Sequence, residues 1–298
     1  TDGHRDVDFI VDCCGPDTIK QVGQPQYQEN IYPNWISCET PLTFISKDEC
    51  CLPNGTYVEY LEIQVYWKPN NDTNEPWAFN SSFIIYDGDE NDTNPEPGRI
   101  DYNFNFLDDC FHEIWWRGVD IFGNEESWHK QKHKVDCTPP NIEKTVGDPN
   151  CEIIDNKEYC ITNETPIFIT AVDEGCMGGV GLKSLEYRIW WNNSWTNWIT
   201  IDCCESINET IYLEEECTHY LEIKAVDYLN NTMIDNETFN VDQHPPQFTK
   251  QVGDPKCGPE WETNDSLPLD YQDYFPRIEA YCVTTGTEIN ITAFDTPG

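Results

Sequence analysis

The chain repeats itself, and that constrains its fold more than any other property. "VDCTPPNIEKTVGDPNC" (Val135 to Cys151) returns as "VDQHPPQFTKQVGDPKC" (Val241 to Cys257) and, degraded, as "VDCCGPDTIKQVGQPQY" (Val11 to Tyr27). A second element, "SCETPLTFISKDECC" from Ser37, recurs as "YCITNETPIFITAVDEGC" from Tyr159 and "YCVTTGTEINITAFD" from Tyr281, an alignment that makes Cys38, Cys160 and Cys282 equivalent. A third, "DCFHEIWWRGVDIFGNE" (Asp109 to Glu125), recurs once as "ECTHYLEIKAVDYLNN" (Glu216 to Asn231). The matches divide the chain into four parts. Residues 1–15 read as the last strand of a preceding repeat plus its linker, 16–136 and 137–242 as complete units, and 243–298 as the first strands of a third. A chain cut inside a repeat at both ends is expected to be a window on a longer array.

The periods within the units are those of strands. "TPIFITAVD" sets Ile167, Ile169 and Ala171 against Phe168 and Thr170, and "LKSLEYRIWW" sets Leu185, Tyr187, Ile189 and Trp191 against polar neighbours. "YLEIKAVD" places Leu221, Ile223 and Ala225 on one face. Gly, Asn, Asp or Pro bounds each run, and no helical period is sustained. The pattern predicts an all-β fold, an antiparallel β-sandwich of about 100 residues per unit. The first unit is longer because Trp67 to Phe104 extends its middle hairpins, as loop-tip insertions do.

The chain carries 15 cysteines without any Cys-x-x-Cys knuckle, which argues for disulfides in an oxidising compartment rather than zinc. Asn-x-Ser/Thr sequons at Asn54, Asn71, Asn80, Asn91, Asn163, Asn192, Asn208, Asn230, Asn236, Asn264 and Asn290 predict N-linked glycans on an extracellular or cell-surface protein. With 55 acidic against 17 basic residues the net charge is −38, a surface that repels nucleic acid and attracts cations. No apolar run is long enough to span a bilayer, so this segment is not expected to insert, and targeting or anchoring segments are expected outside it.

The stretch from Ser184 to Pro246 resembles the immunoglobulin-like repeats of large archaeal and bacterial cell-surface proteins of filament, surface-layer or adhesin type. The resemblance rests on a Tyr-Arg strand (Tyr187, Arg188), a Trp-bearing turn, a His-x-Leu-x-x-x-Ala-x-Asp strand (His219 to Asp227), an Asn turn and a Val-Asp-x-x-Pro-Pro linker. It covers the second unit well, the first with an insertion and the third only at its start. It implies tandem Ig-like sandwiches, export, and a scaffold or adhesive role. The cysteine load, and "EEE" where the family's turn is commonly Glu-Gly, depart from that pattern.

The repeated Cys/His/Asp set raises the question of a reactive centre. Cys217 and His219 are two apart on a strand, so their side chains share a face roughly 7 Å apart, beyond a direct hydrogen bond. The structural reading, with Cys217 in a disulfide and His219 at the strand start, is favoured, and no enzyme is expected. Cys151 and Cys160 flank one short loop and Cys257 and Cys282 an equivalent longer one, which predicts the bridges Cys151–Cys160 and Cys257–Cys282. Cys38 is expected to pair with Cys13 or Cys14. Cys176, Cys203, Cys204 and Cys217 suffice for two more bridges within the second unit, and Cys50, Cys51 and Cys110 lie in comparable places in the first.

In an immunoglobulin-like sandwich, Asp173 after the second strand and Asp227 after the sixth reach loops at one end. Asp148 of a Gly-Asp-Pro turn and the linker residues Asp136 and Asp242 are expected to project toward such ends, a hard-oxygen set suited to structural calcium at the junctions. An Asx turn made by Asp227 and Asn230 is the competing reading. "YDGDENDTN" (Tyr86 to Asn94) lacks a calcium loop's closing glutamate and reads as a solvated tip. Adjacent tryptophans, Trp115/Trp116 and Trp190/Trp191, must place one ring inward and one outward. Outward rings suit cover by a glycan or a neighbouring subunit, or a carbohydrate ligand.

The sequence thus predicts a non-enzymatic extracellular structural protein. It reads as a disulfide-stapled, N-glycosylated array that needs no cofactor beyond structural calcium and has as partners neighbouring copies or flanking repeats. The alternative is an adhesin or carbohydrate-binding module presenting exposed tryptophans.

Overall fold

The computed structural model describes residues 11–28, 33–49, 57–70, 74–154, 157–202, 206–263 and 277–295, with backbone alone for 202, 257–263 and 277–280. The first unit holds β1 (Asp17–Val22), β2 (Gln26–Tyr27), β3 (Trp35–Ile36), β4 (Leu42–Lys47), β5 (Val58–Lys68), β6 (Ala78–Tyr86), β7 (Arg99–Phe104), β8 (Cys110–Asp120) and β9 (His129–Val135). One sheet runs β1-β4-β7 and the other β2-β3-β9-β8-β5-β6.

The second unit repeats this layout. It holds β10 (Asn141–Val146), β11 (Asn150–Ile154), β12 (Glu158–Ile161), β13 (Ile167–Val172), β14 (Leu182–Trp191), β15 (Ser194–Trp195), β16 (Ile199–Asp202), β17 (Ser206–Ile211), β18 (Cys217–Asp227) and β19 (Thr232–Val241). Its sheets run β10-β13-β17 and β11-β12-β19-β18-β14-β15, with β16 also on β14. Beyond it, β20 (Gln247–Val252) pairs β23 (Ile289–Phe294), and β21 (Lys256–Thr263) pairs β22 (Arg277–Val283).

The fold is all-β, as the alternation predicts, with one departure from a purely antiparallel sandwich. β3 lies parallel to β9 and β12 parallel to β19. In both complete units the first strand pairs in one sheet, turns at a Gly-x-Pro and continues in the other as β2 or β11, where it pairs antiparallel with β3 or β12, the strand that lies parallel to the unit's last.

Alternate residues fill each core. Ile167, Ile169 and Ala171 of β13, Leu185 and Tyr187 of β14, and Leu221, Ile223 and Ala225 of β18 form one buried cluster, while Phe168 faces out. Leu42, Phe44, Leu61, Ile63, Ile114 and Val135 anchor the other. Fully burying such a side chain stabilises by roughly 1.5–3 kcal/mol. Trp116 is the inward member of its pair, its indole N–H donating to the Thr18 carbonyl at 3.2 Å, while Trp115 meets Trp128 and Lys130 outside.

A side-chain signal repeats three times at the hairpin after each Gly-x-Pro turn. The hydroxyl of Thr40 donates to the Pro25 carbonyl at 2.5 Å, Thr165 to Pro149 at 2.6 Å and Thr287 to Pro255 at 2.7 Å. The same hydroxyl accepts from the backbone N–H of Ser37, Thr162 or Thr284. This fixes the structural alignment and corrects the sequence one: Cys160 and Cys282 are equivalent, but Cys38 takes the place of Asn163. The residues standing where Cys151 and Cys160 stand are Tyr27 and Trp35, and all three pairs are directly opposed (Tyr27↔Trp35, Cys151↔Cys160, Cys257↔Cys282).

Candidate functional site

The junction between the two complete units gathers most of the unusual chemistry. Asp136 ends the Val-Asp of the first unit, Asp173 follows β13 and Asp227 ends β18. Because β10 pairs β13 antiparallel and β14 begins opposite Asp227, all three lie at the entry end of the second unit. Each is buried, and each offers an oxygen within 4.8 Å of the others.

Their lone pairs are partly met by backbone. Asp136 accepts from the N–H of Val180 at 2.7 Å and Thr138 at 3.1 Å, and Asp173 from Gly181 at 2.7 Å. Asp227 accepts from the N–H of Leu229 and Asn231 at 2.8 Å each and from the Asn231 amide at 2.7 Å. That amide also donates to the Asp136 carbonyl at 3.1 Å, tying β18's turn to the linker. Gly179, with φ +66°, lies where a Cβ would run into the Asp173 carboxylate.

None of the ion pairs found among the described residues includes these three aspartates. Burial, helped by the Asp173 charge, pushes the Asp136 carboxyl up to about 7 and Asp227 up to about 6; burial likewise raises Asp173. Three crowded carboxylates without a basic partner must share protons or a cation.

The first unit has the same triad at its own entry, Asp12, Asp48 and Asp120, with oxygens equally close. Asp120 accepts from Phe122 N–H at 2.9 Å and from Asn124 N–H and amide at 2.8 Å each, as Asp227 does from its own turn. Sequence reasoning missed these residues. Aligning "ISKD" with "TAVD" and "GVDIFGN" with "AVDYLNN" was the signal that could have found them.

Asp148 and Asp242 do not join the triad. β10 carries the chain the length of the sandwich, so the Gly-Asp-Pro turn lies at the exit end, where Asp242 groups instead with Glu216 and His244. At the Tyr86–Asn94 tip, Asp92 is taken by the N–H groups of Gly88, Asn94 and Asp101.

Two disulfides fix the same junction, and both correct the expected pairing. Cys38 bonds Cys137, not Cys13 or Cys14, because parallel β3 and β9 deliver Ile36 beside Val135 and thus Cys38 beside the linker. Cys110 bonds Cys176 across the units rather than within one, since Cys110 opens β8 at the first unit's exit and Cys176 lies on a 3-10 turn at the second's entry. Cys217, the counterpart of Cys110, is an exposed free thiol and not in a bridge, and Cys13 is also free.

Cys151 and Cys160 face each other as thiols rather than as the expected bridge. A hydrogen bond donated to Cys151, with burial, pushes Cys160 up to about 11. Cys14 and Cys282 are disulfide-bonded. Cys50, Cys51, Cys203, Cys204 and the Cys257 side chain lie outside the described residues.

A small apolar cluster completes the junction. Trp35 packs with Val180 and Leu229, flanked by Tyr27 and Met177, and Tyr27 stacks on Tyr228 at 4.4 Å between ring centroids. Asp109 grips the linker by accepting from Cys137 N–H at 2.5 Å and from the Thr138 hydroxyl.

The Cys/His/Asp set does not assemble a reactive centre. His219 is buried with Nδ1 3.2 Å from the Cys217 carbonyl and its ring stacked on Trp191, while Asp227 ends the same strand at the other junction. Among the described sequons, Asn80, Asn91, Asn163, Asn192, Asn208, Asn230, Asn236 and Asn290 are all exposed; Asn54, Asn71 and Asn264 lie outside. Among the described residues no helix is long and apolar enough to cross a membrane.

No protein-family model and no curated protein matches the chain. Solved structures similar to it include fibronectin(III)-like modules of Clostridium thermocellum CbhA, at 13% identity and TM-score 0.31, covering 76% of this chain and 98% of that one. Chicken CNTN1 FN1-FN3 domains match at 11% identity and TM-score 0.26, covering 73% and 63%. A tetra-tandem repeat in the extending region of a large adhesion protein matches at 13% identity and TM-score 0.26, covering 82% and 53%.

Proposed function

We propose that the chain is an N-glycosylated, extracellular, non-enzymatic spacer whose sandwiches join in tandem to build a cell-surface filament, stalk or surface layer, with neighbouring copies or flanking repeats as its partners. The observation that supports this best is the junction. There the covalent bridge Cys110–Cys176, the Trp35/Val180/Leu229 cluster and the buried aspartates all tie one unit to the next. Two freely hinged modules need none of these.

Calcium fits the triad as a structural ion. Asp136, Asp173 and Asp227 would hold it, with hard anionic oxygens from a strand end, a loop and a turn that it would cross-link. Asp12, Asp48 and Asp120 offer the same donor set one junction earlier. We also propose that Cys151–Cys160 and Cys257–Cys282 close in the oxidising exterior, since each pair is directly opposed across two strands.

Electron microscopy of the purified, glycosylated chain tests the reading, with ordered fibres or sheets as the expected result. Monodisperse rods that capture sugars on a glycan array would favour the second reading, a carbohydrate-binding adhesin. The exposed Trp195 and Trp198 flanking Arg188 are the specific observation behind it.

A further inference from the structure

The outer face of the second unit's larger sheet carries an aromatic platform that the junction does not use. The Arg188 guanidinium lies between Trp195, 4.3 Å from its ring centroid, and Trp198, at 4.5 Å, and is held there by Glu222 at 2.6 Å. Beside them Tyr220 meets Trp190 edge-on at 5.0 Å. Trp195 is 43% exposed and Tyr220 44%, an aromatic patch of the kind soluble proteins keep for an occupant.

Trp195 and Tyr220 line a groove of about 320 Å³ whose other wall is Asn236, Glu237 and Thr238. Those three residues are a complete glycosylation sequon. Asn236 is exposed, and it stands opposite Glu222 on the neighbouring strand, with Glu222 in turn opposite Arg188. Two inter-strand spacings, roughly 10 Å, therefore separate the Asn236 backbone from that of Arg188 between the two indoles. The first two or three sugars of an N-linked chain span that distance, and the C–H face of a pyranose ring packs well on an indole or phenol.

We propose that the groove is filled from within. An N-linked oligosaccharide on Asn236 lies across the sheet with its first sugars on Tyr220 and Trp195, covering the patch that would otherwise be open to other molecules. This rests on the N-glycosylation proposed above and adds where one glycan goes and what it does. Asn80 also lines an aromatic groove, but its rings, Phe83, Tyr102, Phe104 and Phe106, are buried or half-buried, whereas Trp195 and Tyr220 beside Asn236 are exposed.

Glycopeptide mass spectrometry of the natively glycosylated chain, combined with hydroxyl-radical footprinting, tests this. Asn236 is expected to be occupied. Trp195 and Tyr220 are expected to be modified severalfold more slowly than in the Asn236→Gln and Thr238→Ala chains, while exposed Tyr86 in the other unit changes little. Retention of the Cys110–Cys176 bridge by peptide mapping confirms that both variants are folded.

Equal footprinting rates with Asn236 occupied would overturn the inference and leave glycosylation standing. An unoccupied Asn236 beside occupied sequons elsewhere would do the same. Absence of glycan at every sequon would sink both readings. Capture of a free oligosaccharide by the glycosylated chain, lost on Trp195→Ala, would show the face open and also overturn it.

Discussion

Tyr27 and Trp35 in the first unit and Cys151 and Cys160 in the second occupy the same two opposed positions of the same hairpin. The aromatic pair reaches the next unit, with Trp35 on Val180 and Leu229 and Tyr27 on Tyr228. The cysteine pair lies beside Asp242, Gln243 and His244 of the following linker. With aromatics in the hairpin, the first unit is bridged instead from Cys38, one turn on, to Cys137 in the linker, positions filled by Asn163 and Gln243 in the second. The backbone signals of the repeat, above all the threonine hydroxyl on the proline carbonyl, are constant. The opposed pair beside them varies, aromatic in the first unit and cysteine in the second.

The largest expected effect follows directly. Trp35→Ala removes the buried centre of the junction cluster and should cost about 3–5 kcal/mol in denaturant unfolding, whereas Cys160→Ala, with the Cys151/Cys160 pair kept as thiols by reductant in both chains, should cost far less. Comparable losses at the two sites would break the comparison. Cys110→Ser with Cys176→Ser should lower stability by about 2–4 kcal/mol and let the two units melt as separate transitions in calorimetry. A single unchanged transition would show that packing alone couples them.

Calcium should raise the melting temperature of the junction, by about 2.7 kcal/mol of stabilisation at a hundredfold excess over its dissociation constant. Asp173→Asn should abolish the response, and an unchanged melt in chelator would remove calcium from the account.

The smallest effect distinguishes the same lysine in two settings. Lys20 is half-buried with Nζ 2.6 Å from His133 Nε2 and over the Trp116 ring at 5.4 Å. Its counterpart Lys144 pairs with Asp235 at 2.8 Å and with the buried Glu237. Burial brings Lys20 down from 10.5 to about 7. Between those values the unfolded chain holds the extra proton, so stability rises with pH, by no more than about 1.4 kcal/mol per pH unit. Lys20→Met should flatten that rise in denaturant titrations between neutral and alkaline pH; an unaltered slope would assign it to other groups.

The strands were legible in the sequence because burial on one face imposes a period of two, and Ile167, Ile169 and Ala171 show it without interruption. The meeting of Asp173 and Asp227 was legible too, since a sandwich forces its second and sixth strands to end together, whereas Asp136 stood only as one of three candidates beside Asp148 and Asp242. What the sequence hid was register across gaps. The cysteine of "SCETP" looks equivalent to that of "YCITNETP" until the Thr-Pro that follows each is aligned, and the shift of three residues changes its partner. Pairing across units was hidden for a related reason. Cys110 and Cys176 meet only because one unit's exit faces the next one's entry, which no period within a unit encodes.

The two bridges also determine where tension travels if the array is pulled from its ends. Load arriving at Cys38 crosses at once to Cys137, 99 residues on, and so bypasses the longer way round from Cys38 to Cys110. From there it divides between the linker and the return through β9 and β8 to Cys110, both of which rejoin at Cys176. Strands β4 to β7, with the long hairpin insertion and its sequons, are therefore mechanically silent. The most sequon-rich part of the first unit is free to vary in length without altering how far the two units can be drawn apart.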